Sequence, residues 1–289
     1  MDSIRSQGLR ACDRLAVVVA CNDDEILESN LMRSPMIALG GIPVHVERGA
    51  ASAGIAYNRG LSATSAELVV FAHQDVYLPL GWETLLHARI AELQQSDPDW
   101  ALLGSYGVDD TGAHYGPVWS SSIGSIIGRI SPVPIAVQSF DEHLFVMRRS
   151  AGFAFDENLP GFHLYGTDIV QMVRKSGRGA YVMPLPLIHN DRFKGQLGND
   201  YLEAFRYMQR KWKDVLPLVS PVAKISWHGL QLARSRWRNM RSRVSRREIA
   251  APTECDPRVY ADLCGWSDVT FHPHGKDVGE SSARAMTSF

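Results

Sequence analysis

The chain of 289 residues is poor in cysteine, and its four cysteines show no paired spacing. Cys12, Cys21, Cys255 and Cys264 form no Cys-x-x-Cys motif and recur at no regular interval. Disulfide frameworks and cysteine-ligated zinc sites are both recognised by such spacing, so the sequence describes neither. Reduced thiols in a cytoplasmic protein are the expectation.

Long apolar segments are missing as well. No stretch approaches the roughly 20 consecutive apolar residues that span a bilayer, and no long apolar region follows the first basic residues as in a signal peptide. The composition, 45% hydrophobic and 21% charged, is that of an ordinary globular protein. A formal net charge of −1 gives no overall field that would attract nucleic acid. We therefore expect a cytoplasmic chain that has no nucleic acid as partner.

Three common motifs for phosphates and nucleophiles are also absent. No Gly-x-Gly-x-x-Gly follows the first apolar run, which removes the mechanism of a dinucleotide-binding Rossmann domain. The sequence has no Gly-x-x-x-x-Gly-Lys-Ser/Thr of a P-loop. It also has no Gly-x-Ser-x-Gly, which counts against an α/β-hydrolase. What remains is the set of acidic and histidine residues that follow the apolar runs.

One of these apolar runs stops at a polar triplet. Leu68 to Ala72 contains no polar residue and is followed by His73, Gln74 and Asp75. A run without alternation suits a strand that is buried on both faces of a parallel sheet. Ligands of such sheets collect at the carboxyl ends of the strands. The triplet is therefore the centre of a candidate active site.

Apolar runs alternate with helical patterns over the first half of the chain. The strands are predicted at Leu15–Cys21, Ile42–Val46, Leu68–Ala72 and Ala101–Ser105, with helices between them. This alternation predicts an α/β fold with a mostly parallel central sheet flanked by helices. From Tyr106 to Pro134 the sequence turns to Gly, Ser and Pro, which predicts a long functional or mobile loop.

Several short motifs follow one another in a recognisable order between Leu15 and Asn190. The first half has a Gly-rich turn, an Ala-x-Asn-x-Gly helix, an Ala-Glu-Leu strand and the triplet ending at Asp75. The second half has Phe-Asp-Glu, then Tyr-Gly-Thr-Asp168, and an apolar strand that leads to His189. Together these motifs resemble the GT-A glycosyltransferases of the large inverting family two, among the nucleotide-diphospho-sugar transferases. The resemblance implies a GT-A type fold and a metal-dependent transferase of polysaccharide biosynthesis.

The resemblance also implies a role for each matching residue. Asp75 would hold a divalent cation, Mn²⁺ or Mg²⁺, which neutralises the charge on the leaving nucleoside diphosphate. His189 would be a further metal ligand, and Asp168 the general base on the acceptor hydroxyl in a single inverting displacement. The residues around the nucleotide-diphospho-sugar donor would be Ala20, Cys21, Asn22, Glu47, Asn58, His73 and Gln74. The acceptor would be a hydroxyl of a glycan or of a lipid-linked molecule.

Two departures from the family pattern keep other functions open. His73 stands where the family has the first Asp of its triplet, and Thr167 replaces the acidic residue before the base. Both motivate an alternative, a catalytically silent nucleotide-sugar or glycan-binding module. A sugar-phosphate nucleotidyltransferase ranks last, because the Gly-rich N-terminal signature with Arg and Lys is missing.

The candidate residues have structural alternatives too. Asp75 can instead cap the turn that follows its strand, and Asp168 can stabilise a helix N-terminus through the helix dipole. His189 can be a buried structural histidine. Asp141 and Glu142 are predicted to form a solvated turn.

The domain boundaries are predicted from the same patterns. Residues 1–195 would form the catalytic domain, with the donor half over 14–105 and the acceptor half over 106–195. C-terminal helices would follow over 196–249, and an irregular tail over 250–289.

The last of these helices is basic and amphipathic. It is predicted over 222–247, with apolar residues on one face and arginines opposite: Arg234, Arg236, Arg238, Arg241, Arg243, Arg246 and Arg247. Such a helix suits peripheral contact with anionic lipid at the inner face of a membrane. The alternative is a solvated helix face that packs on the domain.

Overall fold

Short apolar strands and the helices between them make up the part of the chain that the computed structural model describes, residues 15–191, 198–241 and 256–270. In chain order, the first half contains β1 (Leu15–Cys21), α1 (Asp24–Ser29), α2 (Pro35–Ala38), β2 (Val44–Arg48), α3 (Ala53–Ala63), β3 (Leu68–His73), β4 (Val76–Tyr77), α4 (Trp82–Ser96), β5 (Leu102–Gly104), β6 (Gly107–Val108), β7 (His114–Tyr115), β8 (Val118–Ser120), β9 (Ser125–Ile127), β10 (Ile135–Ala136) and β11 (Ser139–Phe140). The second half contains β12 (Leu144–Arg148), α5 (Tyr165–Lys175), β13 (Ala180–Val182), β14 (Leu187–His189), α6 (Asn199–Lys211), β15 (Leu218–Val219), β16 (Lys224–Ile225), α7 (Leu230–Arg241) and α8 (Pro257–Leu263).

The central sheet has the strand order β10-β13-β5-β12-β3-β1-β2. Strand β1 pairs in parallel with β2 and β3, and β5 pairs in parallel with β13. Strand β12 runs antiparallel to both β3 and β5, so the five strands β1, β2, β3, β5 and β13 all point the same way. The predicted α/β fold with a mostly parallel central sheet and flanking helices is confirmed.

The uninterrupted apolar runs arise because both faces of this sheet are covered. In β1, Val17 and Val19 belong to one hydrophobic core and Val18 belongs to the other. The first core includes Trp82 of α4, and the second includes Ile169 of α5. A strand with apolar neighbours on both sides has no polar face, and hence no alternation in its sequence.

The carboxyl ends of the parallel strands meet at one edge. Ala20 of β1 lies opposite Glu47 of β2 on one side and His73 of β3 on the other. Strand β12 runs the other way and therefore begins at this edge, where the carbonyl oxygen of His143 accepts from the backbone N–H of His73 at 2.9 Å. A smaller sheet in the order β4-β14-β8-β9 continues from here and carries His189 on β14.

The predicted long loop over Tyr106–Pro134 instead contains the short strands β6 to β9. Gly116 and Gly128 have φ angles of 105° and 88°, and a Cβ on either would collide with backbone atoms. Glycine permits both the positive φ and the close approach, so these strands can turn tightly. Strands of two or three residues are too short to show an alternating pattern in the sequence.

The C-terminal region differs from the prediction in two places. Strands β15 and β16 form a hairpin before α7, where the sequence predicted a helix from residue 222, and Ala223 and Ile225 of this hairpin are buried in the second core. Helix α8 lies in the predicted irregular tail, where Tyr260 stacks on Trp119 with ring centroids 5.1 Å apart. Trp266 is buried in the first core. A helix of seven residues spans less than two turns, too few to show a period in the sequence.

Candidate active site

Three side chains converge at the carboxyl edge of the central sheet: His73 at the end of β3, Asp75 in the turn to β4, and His189 at the end of β14. His73, Asp75 and His189 each offer one ligand atom, and these atoms all lie within 4.8 Å of one another. Oδ1 of Asp75 is 3.4 Å from Nε2 of His189 and 3.9 Å from Nδ1 of His73. The sequence placed all three at the site, and the fold brings them within range of a single ion. We call this group the His-Asp-His cluster.

One carboxylate oxygen of Asp75 is poorly satisfied by the protein and could be completed by a cation. Its Oδ1 is buried and makes no hydrogen bond of good geometry among the described residues, and its ion-pair partner is Nε2 of His189 at 3.4 Å. A buried carboxylate oxygen without a close hydrogen bond costs free energy, and coordination of an ion by this oxygen would remove that cost. Carboxylate and imidazole are both common metal ligands, so the residues present fit a divalent cation.

The charges in the cluster are strongly coupled. Burial lowers the pKa of His73 to about 4, against the pull of Asp75, so this ring is neutral. Burial also acts to lower the pKa of His189, but the carboxylates of Asp75 and Asp191 outweigh it and raise that pKa to about 10. Burial tends to raise the pKa of Asp75, yet His189 holds it below its usual range. Without a cation, His189 and Asp75 therefore form an ion pair, and binding a cation requires His189 to lose its proton.

The hydroxyl of Tyr165 sets the orientation of His73. It donates to the backbone oxygen of Glu142 at 3.0 Å and lies 3.0 Å from Nε2 of His73. Because its one proton is used on the carbonyl, Nε2 of His73 must carry a proton and donate to the hydroxyl oxygen. The lone pair of this ring is then on Nδ1, the nitrogen that faces Asp75. Such outer contacts fix which nitrogen of a histidine is free to bind a metal.

A third histidine, His143, packs against the cluster. The ring of His143 packs against that of His189 with centroids 5.3 Å apart. Its Nδ1 is 2.8 Å from Asp141, and its Nε2 is 3.0 Å from the hydroxyl of Ser105. This Ser-His-Asp connectivity is that of a hydrolase triad. However, Ser105 is 0% exposed and also donates to the carbonyl of Leu144, so no substrate reaches it and the three residues act as a structural network.

The predicted donor residues fall into two groups. Ala20, Cys21 and Asn22 lie at the end of β1 and just beyond it, and Glu47 lies beside Ala20 on β2. The side chain of Gln74 accepts from the backbone N–H of Asn22 at 2.9 Å and donates to its side-chain oxygen at 2.7 Å. The triplet and the end of β1 are thus tied together, as the parallel arrangement predicts.

Asn58 is placed differently. Its side-chain amide donates to the backbone oxygen of Phe155 and accepts from the backbone N–H of the same residue, and it also donates to Glu157. The amide therefore joins α3 to the loop before α5 and is engaged with that loop.

Asp168 also lies apart from the cluster. It is 2% exposed, and its carboxylate accepts from Nζ of Lys211 at 2.7 Å and from Nε1 of Trp212 at 2.6 Å. Burial raises the pKa of Asp168, and the contacts with Lys211 and Trp212 offset this only in part. In this arrangement the carboxylate has no free path to an acceptor.

The sequence did not single out three residues that the structure places at or near the cluster. The sequence predicts a solvated turn for Asp141 and Glu142, assigns no role to His143, and includes Tyr165 only in the Tyr-Gly-Thr-Asp168 motif. The only signal in the sequence was the unusual grouping of Asp, Glu and His directly before an apolar strand. That strand, β12, is antiparallel, so its start rather than its end lies at the site.

Comparisons with known proteins give few matches in sequence and several in structure. No family model matches the chain. A protein of Fuscovulum blasticum described as "ATP synthase subunits region ORF 6" is 31% identical over 134 residues, which is 43% of this chain and 51% of that protein. The chain thus spans about half the length of this curated relative.

Three solved structures are similar at low identity. GalNAc-T7 with UDP, GalNAc and Mn²⁺ is 12% identical with a TM-score of 0.44, over 80% of this chain and 56% of that one. The mannosyltransferase PcManGT from Pyrobaculum calidifontis, in complex with GDP-Man and Mn²⁺, is 13% identical with a TM-score of 0.41, over 87% and 76%. The inositol-1-phosphate CTP transferase from T. maritima is 13% identical with a TM-score of 0.37, over 68% and 96%.

Proposed function

We propose that this protein is a metal-dependent glycosyltransferase that moves a sugar from a nucleotide diphosphate donor to a hydroxyl acceptor, with inversion. The observation that supports this most is the His-Asp-His cluster, in which no close hydrogen bond is made to Oδ1 of Asp75, at the carboxyl edge of parallel strands. This edge is where open α/β sheets bind their ligands. The order of sequence motifs that resemble family two leads to the same residues.

In this proposal His73, Asp75 and His189 hold the cation. When bound, the cation neutralises negative charge on the leaving nucleoside diphosphate. Glu47 and Asn22 lie at the neighbouring strand ends and face the nucleoside part of the donor. Two imidazoles in the ligand set favour a transition metal over Mg²⁺, which prefers oxygen ligands and retains several waters. We therefore assign Mn²⁺ rather than Mg²⁺ as the working ion.

Nucleotide binding tests this proposal before any acceptor is known. Isothermal titration of the full chain with UDP and with GDP, each with Mn²⁺ or with EDTA, is expected to show binding only in the presence of the ion. Asp75→Asn should lose this binding. Asp110→Asn, at an exposed carboxylate paired with Arg174, serves as the matched control and should retain it. Binding that is unchanged in Asp75→Asn would remove the metal assignment.

Turnover separates the enzyme from the silent binding module. Release of UDP or GDP is measured over a panel of nucleotide sugars with Mn²⁺. Transfer or hydrolysis of any donor supports the transferase. Cation-dependent nucleotide binding without turnover on the whole panel, with glycan acceptors included, would instead favour the silent nucleotide-sugar module.

A lipid-linked acceptor would be reached from a membrane surface, and we propose that the region of α7 makes this contact. None of the helices in the described ranges is long and apolar enough to cross a bilayer. Trp227, Leu230 and Trp237 are 61%, 66% and 55% exposed, and Arg234 on the same helix is exposed as well. Exposed apolar groups beside basic groups suit an anionic lipid surface. The side chains of Arg236, Arg238 and Arg241 and all of Arg243, Arg246 and Arg247 lie outside the described residues.

Sedimentation with vesicles tests the membrane contact. Binding is expected to vesicles that contain phosphatidylserine and to be weaker with phosphatidylcholine alone. The double change Trp227→Ser and Leu230→Ser should reduce it, whereas Leu39→Ser, at an apolar side chain that is 85% exposed elsewhere, should not. Equal binding by the double variant would refute the assignment.

A further inference from the structure

The segment Asp141–His143 lies directly beside the His-Asp-His cluster. It joins β11 to β12, and β12 begins where β3 ends. The backbone oxygen of Glu142 and Nε2 of His73 are each 3.0 Å from the hydroxyl oxygen of Tyr165. One hydroxyl therefore ties Glu142 to a proposed metal ligand and holds it close to the cluster.

The carboxyl group of Glu142 sits at the N-terminus of α5. The backbone N–H groups of Leu164 and Gly166 face it. Leu164 has a φ angle of 63°, which is rare for a leucine, and a Cβ on Gly166 would lie 3.3 Å from Cγ of Glu142. Helix α5 has no side-chain cap at its N-terminus. The strained backbone conformation of its first residues therefore leaves space at this end of the helix for the carboxylate of Glu142.

Glu142 also lines a cavity of about 100 Å³ between α5, α6 and the β15–β16 hairpin. Tyr201 lines the same cavity and is 2% exposed, and its hydroxyl lies beside the side chain of Ser220, with which it makes no hydrogen bond of good geometry. A buried hydroxyl with so poor a contact can take a ligand group in this cavity as a better hydrogen-bond partner. A cavity of this volume has room for several water molecules and suits one hydroxyl-bearing edge of a sugar.

From this geometry we propose that the cavity between Glu142 and Tyr201 is the acceptor subsite and that Glu142, rather than Asp168, takes the proton from the acceptor hydroxyl. The inference rests on the proposed glycosyl transfer. The acceptor oxygen forms a bond to the anomeric carbon, and its proton passes to the carboxylate of Glu142. The bond from the anomeric carbon to the phosphate oxygen breaks, and its electron pair leaves with the nucleoside diphosphate. The hydroxyl of Tyr201 hydrogen-bonds to the acceptor and orients it.

The ionisation of Glu142 agrees with this role. Burial, together with the negative charge of Asp141, raises its pKa to about 8, while the N–H groups of α5 act in the opposite direction. A general base works best when its pKa lies near the working pH. Asp168, by contrast, would have to leave an ion pair and an indole hydrogen bond before it could accept a proton.

The test compares Glu142→Gln, Glu142→Asp, Tyr201→Phe and Asp168→Asn, with Glu67→Gln as control. Glu67 precedes the opposite end of β3, where its side chain bonds to Ser150. UDP or GDP binding with Mn²⁺ is measured first, then donor turnover with glycerol and glucose as hydroxyl probes. Glu142→Gln should bind nucleotide as the wild type does and lose about 10²- to 10⁴-fold in kcat. Glu142→Asp should recover part of this, and Tyr201→Phe should raise KM for the hydroxyl probe about tenfold.

The possible outcomes separate the two proposals. Turnover in Glu142→Gln equal to that of Glu67→Gln would overturn the role of Glu142 and leave the transferase intact. Loss of turnover in Asp168→Asn at full folding, with Glu142→Gln active, would return the base to Asp168. Absence of cation-dependent nucleotide binding in the wild type would overturn the proposed function, and the acceptor subsite with it.

Discussion

The ion pair between Asp168 and Lys211 offers a test that depends on no substrate. Asp168→Asn removes the negative charge from a group that is 2% exposed and bonded to Nζ of Lys211 at 2.7 Å and to Nε1 of Trp212 at 2.6 Å. If these contacts define its role, the first effect of the change is on stability. If the carboxylate is instead the general base, the first effect is on turnover.

The size of the stability loss in Asp168→Asn depends on which contacts of the aspartate an asparagine can still make. Removing one partner of a buried ion pair costs about 3–5 kcal/mol. The asparagine oxygen can still accept from Trp212, and Lys211 retains Asp156 at 2.6 Å, so the lower end applies. We expect a loss of about 3 kcal/mol in the free energy of unfolding. At about 2–4 °C per kcal/mol, the melting temperature should fall by roughly 6–12 °C.

Chemical and thermal denaturation of the full chain measure this loss. The control is Asp110→Asn, which removes an exposed carboxylate that pairs with Arg174 at 2.7 Å and should cost at most about 1 kcal/mol. Turnover is measured well below the melting temperature, where both variants are folded. Equal stability of Asp168→Asn and the control, combined with lost turnover, would refute the structural role.

Four further outcomes are expected. Mn²⁺ at about 100 times its Kd should add about 2.7 kcal/mol to the free energy of unfolding of the wild type, and EDTA should reverse this gain. Asp75→Asn should gain nothing, and an equal gain in both proteins would contradict the metal site. His189 holds a proton up to about pH 10 and must lose it to bind the ion, so the affinity for Mn²⁺ should increase from pH 6 to pH 8 by up to tenfold per pH unit. An affinity that does not change with pH in calorimetric titrations would argue against His189 as a ligand. Tyr165→Phe removes the hydroxyl that orients the imidazole of His73, and it should weaken Mn²⁺ binding about 10-fold while circular dichroism shows the fold retained. Undiminished affinity would show that the hydroxyl has no such role. Gly60→Ala should cost about 1–3 kcal/mol in denaturation, because its Cβ would overlap the side chain of Val18, and a neutral change would show that α3 can shift.

Much of the fold could be predicted because its strands are buried on both faces. The run from Leu68 to Ala72 shows directly that no face of the strand meets water, and such strands occur in parallel sheets under helices. The short strands β6 to β9 and helix α8 could not be predicted in this way. Their elements of two to seven residues are held by tight turns and by packing against distant residues such as Trp119.

The candidate site likewise contains residues that the sequence could place and residues that it could not. Asp75 and His73 follow a long central strand, so the rule for parallel strand ends places them at the ligand edge. Glu142 precedes a strand that looks equally apolar in the sequence, and only the antiparallel direction of β12 brings it to that edge. Strand direction depends on how the chain returns to the sheet, which residue patterns do not record.

The sequence by itself determined which strands are central, which edge collects polar groups, and which residues resemble a donor site. Tertiary structure decided which carboxylates are free to act. Asp75 has only a long contact of 3.4 Å from its Oδ1 to His189, whereas Asp168 is bonded at 2.7 Å to Lys211, 43 residues further along the chain. A local pattern shows that a side chain will be buried, but its partner comes from a distant segment. The environment of each carboxylate, and hence its chemistry, is therefore set only when the chain has folded.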